Sequence, residues 1–365
     1  MLIYAAGEVA DGQQPAWVKQ WLDSRAEREA KKAEKAVDVS PEKQAERAEA
    51  QDDRRAKRLE TVTQGMDDLR VWLEDLVRTG LAAAPSRGFR FFEERAKRLI
   101  DVQAPGAARL VREMGSAASS GDGWQTRMLE SAGLIYLLAE ATARLDDLPD
   151  DLRQDVLVTL GIPTPKEAID AAPVVHDIWQ VIGREMDVEA NLKTQRTYLF
   201  GVTTQRPALL LDFAYGNAGL DVAVPVGTLF PADIAFYPGR SLRAVVRSST
   251  QDVAPLTLMQ GLSSIPVILD LHANLLGERP WLDWLAVPLT NVRPTFDDGH
   301  WWIVDNEGNA LPLSANGRSN WMALAISVGH AVSVGVKTDG KTARLLSIVD
   351  DGVFTDLVAP KDVAA

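Results

Sequence analysis

Two groups of residues have side chains and spacing suited to chemistry: an acidic cluster with a histidine, and three arginines. Asp297, Asp298 and His300 surround a glycine, and carboxylates beside an imidazole are possible ligands for the cation of a metal-dependent hydrolase. A metal site needs several converging ligands, however, and an Asp-Asp-Gly-His sequence is also typical of a turn before a strand. The sequence therefore favours a turn over a hydrolase site.

The three arginines are Arg240, Arg243 and Arg247, spaced three and four residues apart. On a helix they share one face, which is suited to nucleic acid or another anionic partner, although a solvated helix face has the same pattern. The segment Ser241–Ser248 fits either a strand or a helix. A formal net charge of −12 argues against broad, sequence-independent binding of DNA, which needs many lysines and arginines.

The other histidines and the known catalytic motifs do not indicate an enzyme. His176 falls on a predicted helix surface, His272 has apolar helical neighbours typical of a core histidine, and His330 repeats the position of His300 before a strand. The chain contains no nucleophile-elbow serine, phosphate-binding loop, dinucleotide-binding glycine pattern or HExxH motif. We therefore assign no catalytic residue and expect a non-enzymatic protein.

Composition limits the remaining classes of protein. The 365 residues suffice for two or three domains, and 46% hydrophobic and 25% charged residues are ordinary for a globular protein. The absence of cysteine excludes a disulfide framework and a thiolate metal site within this sequence. No apolar run reaches membrane-spanning length and no basic leader is visible, so we expect a cytoplasmic protein without membrane contact.

The first residues have the pattern of a helix whose beginning is missing. Met1–Ala6 is an apolar helical end without a capping residue, Gly7 ends it, and Pro15 begins a second helix with an apolar face. An apolar face of this kind needs a partner, which implies a small domain upstream. We therefore expect a truncated chain or a mis-assigned start codon, the alternative being that Met1 is the true start of a short helix.

This segment resembles bacterial SWIM zinc finger family proteins. The stretch YAAGEV, a Gly/Gln/Pro loop, the helix PAWVKQWLDSRAER and an Ala/Glu/Lys-rich run are similar, over residues 4–36, to the segment after that family's zinc site. The family's Cys-x-Cys and Cys-x-His ligands are absent here, so zinc is expected only if they lie upstream. The resemblance implies a protein- or DNA-binding module that works beside MoxR-type AAA+ ATPases and von Willebrand A-domain proteins.

Helical patterns fill the first half of the chain. We predict a SWIM remnant over residues 1–23, a charged helical connector over 24–58 that restarts at Pro41, and a helical bundle over 59–193. The first bundle helix has a 3-4 apolar seam ending near Gly80, and its residues are Leu59, Val62, Met66, Leu69, Leu73 and Leu76. Val174–Leu192 is predicted as the last bundle helix.

Beyond Gln195 the apolar period changes to two, which predicts an α+β protein with a sheet-rich domain over 194–356 and a flexible tail over 357–365. Predicted strands include a hairpin at Thr204–Arg206, Val222–Val226 and Ala232–Tyr237. Leu256–Leu276 is predicted as a helix kinked at Pro266. Two related hairpins follow His300 and His330. Five tryptophans concentrate here, and exposed ones would indicate a partner surface; they are Trp281, Trp284, Trp301, Trp302 and Trp321.

Overall fold

A computed structural model describes residues 41–189, 191–216, 218–220, 224–250, 253–314 and 317–358. The predicted SWIM remnant, residues 24–40 of the charged connector and the first two residues of the predicted strand Val222–Val226 lie outside these residues, and residues 224–226 are not in a strand. The chain divides into two compact units, Met1–Thr61 and Val62–Ala365. The second unit contains both sheets and the bundle from Val62 onward.

A helical bundle forms the first part of this unit. Its helices are α1 (Pro41–Thr79), which belongs to this unit from Val62 onward, α2 (Ala84–Asp101), α3 (Pro105–Ala117), α4 (Trp124–Ala143), α5 (Asp150–Leu160) and the short α6 (Lys166–Asp170). The predicted apolar seam of α1 is confirmed from Val62 onward, because Val62, Met66 and Leu69 are fully buried. From Pro41, the first described residue, α1 continues through residue 58, the predicted end of the connector, without interruption.

The segment predicted as the last bundle helix is a strand instead. Val174–Glu189 forms β1, the first strand of a sheet. Its apolar residues fit helical spacing, but many are β-branched, and these side chains favour strands because their χ1 angles are restricted. Partner strands on both sides then decide the conformation, since Trp179 and Val181 point together into a buried core.

The strands β1 to β5 close into a small barrel. They are β1, β2 (Leu192–Gly201), β3 (Pro207–Tyr215), β4 (Thr228–Phe236) and β5 (Arg243–Ser249), with the short β6 (Ala254–Pro255) beside β4. The order is β1-β2-β3-β5-β4, and β4 returns to pair with the first half of β1. All pairs are antiparallel except β3 with β5. This is the connectivity of an OB-fold barrel.

The second sheet is entirely antiparallel, with the order β12-β11-β10-β7-β8-β9. Two helices, α7 (Ile265–Glu278) and α8 (Gly317–Ser327), belong to this part of the chain. The strands are β7 (Leu285–Asp297), β8 (His300–Val304), β9 (Ala310–Pro312), β10 (Val332–Thr338), β11 (Ala343–Asp350) and β12 (Val353–Asp356). The two hairpins predicted after His300 and His330 are therefore confirmed as β8-β9 and β10-β11.

The barrel packs against the second sheet at a close backbone approach. A Cβ atom on Gly183 of β1 would lie 2.7 Å from Leu346 Cβ, and one on Gly335 of β10 would lie 2.8 Å from the Ile182 carbonyl oxygen. The Ser347 hydroxyl donates a hydrogen bond of 2.5 Å to the same carbonyl. Glycine is needed at both positions because a side chain would push the two sheets apart.

Of the two conformations predicted for Ser241–Ser248, the strand is confirmed, because Arg243–Ser249 forms β5. Two further predictions are wrong. Pro266 lies in the first turn of α7, where its missing N–H is tolerated, instead of kinking a helix that began at Leu256. Leu357 in the predicted tail is buried, and its carbonyl accepts a 2.7 Å hydrogen bond from the Ser319 hydroxyl. Each helix in the described ranges is too short or too polar to cross a lipid bilayer.

Candidate anion-binding pocket

A pocket of about 320 Å³ lies where the bundle, the barrel and the second sheet meet. Its wall on the barrel side is the outer face of β2, β3 and β5, and α5 contributes Val158. The segment between α7 and β7, together with the neighbouring ends of β7 and β10, closes the other side. A pocket of this size accommodates a small organic ligand rather than a single ion.

Cationic side chains dominate the polar part of this lining. Four of the lining residues are basic and one is acidic: Arg196, Arg243, Arg279 and Lys337 against Asp283. This ratio contrasts with the net charge of −12 for the whole chain. Concentrated positive charge between low-dielectric walls raises the local concentration of anions.

Arg279 is the most informative of these cations. Its side chain is 17% exposed, and its buried Nε has no hydrogen-bond partner within the described residues. The nearest carboxylate oxygen, Asp155 Oδ1, lies 4.0 Å away and is likewise buried without a hydrogen bond. Burial raises the pKa of Asp155 above its usual value, although Arg279 and the Arg240 backbone N–H oppose this. The Nε atom is buried against Asp155, so Arg279 offers a ligand the exposed remainder of its side chain and the positive charge of its guanidinium.

Lys337 and two aromatic rings form another part of the pocket. The Lys337 ammonium lies 4.9 Å from the ring centroid of Trp284 and 5.6 Å from that of Tyr198. It also lies 2.6 Å from a carboxylate oxygen of Glu185. Burial, together with the charge of Glu185, raises the pKa of Tyr198, so its hydroxyl stays a hydrogen-bond donor. Trp284 is 39% exposed and therefore offers a ring surface to a ligand.

The bundle fixes the remaining wall through polar contacts. Trp281 is 8% exposed, and its indole N–H donates a 3.1 Å hydrogen bond to the Leu134 carbonyl of α4. Asp283 lies 3.3 Å from the Arg109 guanidinium of α3. These contacts hold the segment between α7 and β7, which has no regular structure of its own. The pocket therefore depends on all three parts of the unit.

The structure separates the three arginines of the sequence prediction. Arg240 lies in the loop before β5, and its Nε is 2.7 Å from an Asp151 oxygen. Arg247 lies in β5 with its guanidinium 2.6 Å from Asp170. The helical face expected for them does not exist, because β5 is a strand. Only Arg243 of the three lines the pocket.

The other predicted chemical residues lie elsewhere. Asp298 and Gly299 form the tight turn between β7 and β8, with φ angles of 45° and 77°. His300 Nδ1 lies 2.7 Å from the Asp298 carbonyl oxygen, so the imidazole contacts the turn backbone. No group of three or more His, Asp or Glu side chains in the described ranges is arranged to hold a metal ion. The cluster is therefore a turn by its geometry, as the sequence favoured.

The four histidines do not form a common site. His176 lies in β1 with Nδ1 2.7 Å from Asp233, His272 is 5% exposed in α7, and His330 Nε2 lies 2.7 Å from Asp350. The prediction of a core histidine at position 272 is confirmed. Because this sequence also lacks cysteine, its residues do not fit the zinc site of the family that it resembles.

Sequence reasoning did not find the pocket. In the sequence, Trp281 and Trp284 are recognisable only as members of a tryptophan-rich region. Arg279 and Lys337 are 58 positions apart and carry no recognisable motif. The usable signal was the segment Arg279–Trp284, where an arginine and two tryptophans occur within six residues.

A comparison with protein-family models gives a match over the bundle. Residues 57–160 match the family model described as the SWIM-associated four-helix bundle domain. A search of curated proteins and a search of solved structures each gave no match. The matched residues run from within α1 to the end of α5, so they coincide with the bundle that supports the pocket. The chain therefore carries a SWIM-associated bundle domain, which supports its relationship to the SWIM family.

Proposed function

We propose that this chain is a binding protein whose pocket holds an anionic ligand with a planar ring. The observation that carries the proposal is that Arg243 and Arg279 line the same pocket as the exposed ring of Trp284. A guanidinium with a free donor binds a phosphate or carboxylate, while an indole ring stacks on a planar group.

A nucleotide is the simplest ligand with both properties. Its phosphate would neutralise Arg279 and Arg243, and its base would stack on the Trp284 ring. Asp283 is the one acidic side chain in the lining, and Arg109 partly neutralises it. Arg196, Arg279 and Lys337 each lie within 4.0 Å of a carboxylate outside the lining, whereas Arg243 has no ion pair within the described residues and therefore supplies the uncompensated positive charge.

The test is a titration of the full chain with adenosine 5′-monophosphate and thymidine 5′-monophosphate. Adenosine and inorganic phosphate serve as probes of the separate ring and anion. Calorimetry and quenching of tryptophan fluorescence report binding. We expect the monophosphates to bind more tightly than adenosine or inorganic phosphate alone, because the ring contact and the anion contact both contribute.

Matched variants identify the site. Arg279→Gln and Trp284→Ala should each weaken binding of the monophosphates by about tenfold or more, because each variant loses one charge-assisted hydrogen bond or one ring contact. Arg90→Gln and Trp321→Ala alter exposed side chains outside the pocket and should leave affinity unchanged. Equal losses in all four variants, or no binding of any probe, would reject the proposal.

The family relationship motivates a second proposal about partners. We propose that the chain works as an interaction component in an assembly with a MoxR-type AAA+ ATPase and a von Willebrand A-domain protein. What supports it is the match of residues 57–160 to the SWIM-associated bundle domain. Co-expression of the tagged chain with these two proteins from the same organism should recover both. Recovery of neither, at low salt and with ATP, would count against the assembly.

A further inference from the structure

An exposed aromatic row continues from the pocket along the outer face of β3. The alternate residues Leu209, Leu211, Phe213 and Tyr215 share this face, and the first two line the pocket. Phe213 is 52% exposed and Tyr215 is 71% exposed. Two large rings facing solvent beside a cationic pocket are unusual for a strand that only packs a core, so they suggest a contact surface.

The spacing of this row suits the bases of an extended polynucleotide. Alternate residues of a strand are about 6.8 Å apart, which is roughly twice the ~3.4 Å rise per stacked nucleotide of duplex DNA. Bases of an unstacked single strand can therefore meet successive side chains. Bases inside a duplex cannot, because their faces are covered by neighbouring pairs.

One charge beside the row, that of Arg243, is placed for a phosphate. The Arg243 guanidinium lies 5.9 Å from the Phe213 ring centroid and 4.2 Å from that of Tyr237, and it makes no ion pair within the described part of the chain. Arg196 lies opposite Leu211 in the pairing of β2 with β3, but Asp187 lies 2.5 Å from its guanidinium and compensates its charge. Arg243 is therefore the cation available to a phosphate. A cationic edge beside aromatic rings is the combination that binds single strands without sequence preference.

We propose that the ligand of the pocket is a single-stranded nucleic acid, bound along the outer face of β3. One nucleotide would occupy the pocket beside Trp284, and the next bases would stack on Phe213 and Tyr215. This inference rests on the proposed function, since it assigns the pocket to one nucleotide of a longer chain. The outer face of β2 and β3 is also where barrels of the OB connectivity bind oligonucleotides, which is an analogy of fold only.

The test measures fluorescence anisotropy of labelled oligothymidylate and oligouridylate, each about 15 nucleotides long, with the full chain. A duplex of the same length and thymidine 5′-monophosphate serve as competitors. We expect the single strands to bind at least about tenfold more tightly than the monophosphate, because stacking adds to the pocket contacts. The two oligonucleotides distinguish DNA from RNA as the source of the ligand.

Two surface variants test whether the aromatic row binds the bases. Tyr215→Ala and Phe213→Ala should each weaken binding of the oligonucleotides by about five- to 100-fold, because each variant loses the stacking of one base. Binding of the monophosphate should stay unchanged. Phe89→Ala removes a ring of 64% exposure from α2 and should change neither.

The outcomes separate this inference from the proposed function. If the monophosphate binds but the oligonucleotides bind no more tightly, binding along the aromatic row is rejected and the proposed pocket is retained. Absence of all binding would overturn both. If the oligonucleotides do not bind and sedimentation shows a dimer that Tyr215→Ala dissociates, the aromatic row is a contact between two copies of the chain, and the inference is wrong.

Discussion

The Lys337 ammonium lies 2.6 Å from a Glu185 carboxylate oxygen and joins β10 of the second sheet to β1 of the barrel. Glu185 also accepts a 2.5 Å hydrogen bond from the Tyr198 hydroxyl and a 3.3 Å hydrogen bond from Arg344. The side chains of Lys337 and Glu185 are 12% and 11% exposed. This contact therefore fixes the ammonium and the tyrosine ring that the pocket needs.

Glu185 should make stability dependent on pH in the acidic range. Burial alone would raise its pKa, but Lys337, Tyr198 and Arg344 outweigh burial, and the pKa lies below the usual 4.5. Its contribution is therefore present above about pH 4.5 and is lost as the pH falls through the folded-state pKa. Glu185→Gln should reduce the free energy of unfolding by about 1.5–3 kcal/mol near pH 7.

Urea unfolding at several pH values checks this prediction. The variant should lose less stability than the wild type on acidification, because glutamine does not titrate. Glu94→Gln changes a carboxylate of 61% exposure on α2 and serves as the control. Parallel pH profiles for the wild type and Glu185→Gln would contradict the role given to Glu185.

Gly183→Ala should separate the barrel from the second sheet. The added methyl group would lie 2.7 Å from Leu346 Cβ, closer than two carbon atoms can pack. We expect a loss of about 1–3 kcal/mol in the free energy of unfolding. Gly133→Ala in α4 is the matched control, since a Cβ there meets no atom within 4 Å. It should be neutral or stabilising by up to about 1 kcal/mol.

Asp155→Asn should tighten binding of an anion in the pocket. Asparagine keeps an oxygen to accept the Arg240 backbone N–H, which now donates to Asp155 Oδ2 at 3.2 Å. It removes the buried negative charge near Arg279, so an incoming phosphate no longer competes with it. We expect affinity for thymidine 5′-monophosphate to rise by up to about tenfold, equivalent to about 1.4 kcal/mol. Weaker binding in a variant of unchanged stability would contradict the role given to Arg279.

His272 should lower stability as the pH falls through the neutral range. Burial lowers its pKa below the usual 6.5, although Asp339 opposes this, and its Nε2 is buried without a hydrogen bond in the described structure. The unfolded chain then binds a proton that the folded chain does not. Stability is full above the unfolded-state pKa and declines below it.

His272→Leu tests this prediction. Thermal unfolding between about pH 8 and pH 5 should depend less on pH in the variant, while stability near pH 8 is retained because no hydrogen bond is lost. His300→Gln, at an exposed turn, should keep the wild-type profile. An unchanged profile in His272→Leu would show that another group controls this range.

Local patterns were sufficient where one element decides its own conformation. The seam from Val62 to Leu76 predicts α1 because helical periodicity depends only on the sequence itself. The turns before His300 and His330 are equally local, since their glycines adopt positive φ angles whatever surrounds them. The α+β class followed from the same patterns.

Strand pairing decided what local patterns left open. Val174–Glu189 has apolar residues at helical spacing, and it became β1 because β2 and β4 bind its two edges. Arg240, Arg243 and Arg247 share a face only on a helix, and pairing of β5 with β4 removes that face. Both outcomes depend on residues that are distant in sequence, so periodicity does not reveal them.

The sequence by itself determined the helical bundle, the hairpins, the absence of cysteine and the resemblance to the SWIM family. Only the tertiary structure placed Arg279, Trp284 and Lys337 around one pocket beside Tyr198. These side chains come from a loop and from strands of two different sheets. Their meeting depends on the closure of the barrel and on the approach of Gly183 to Leu346, and those are properties of packing rather than of any local segment.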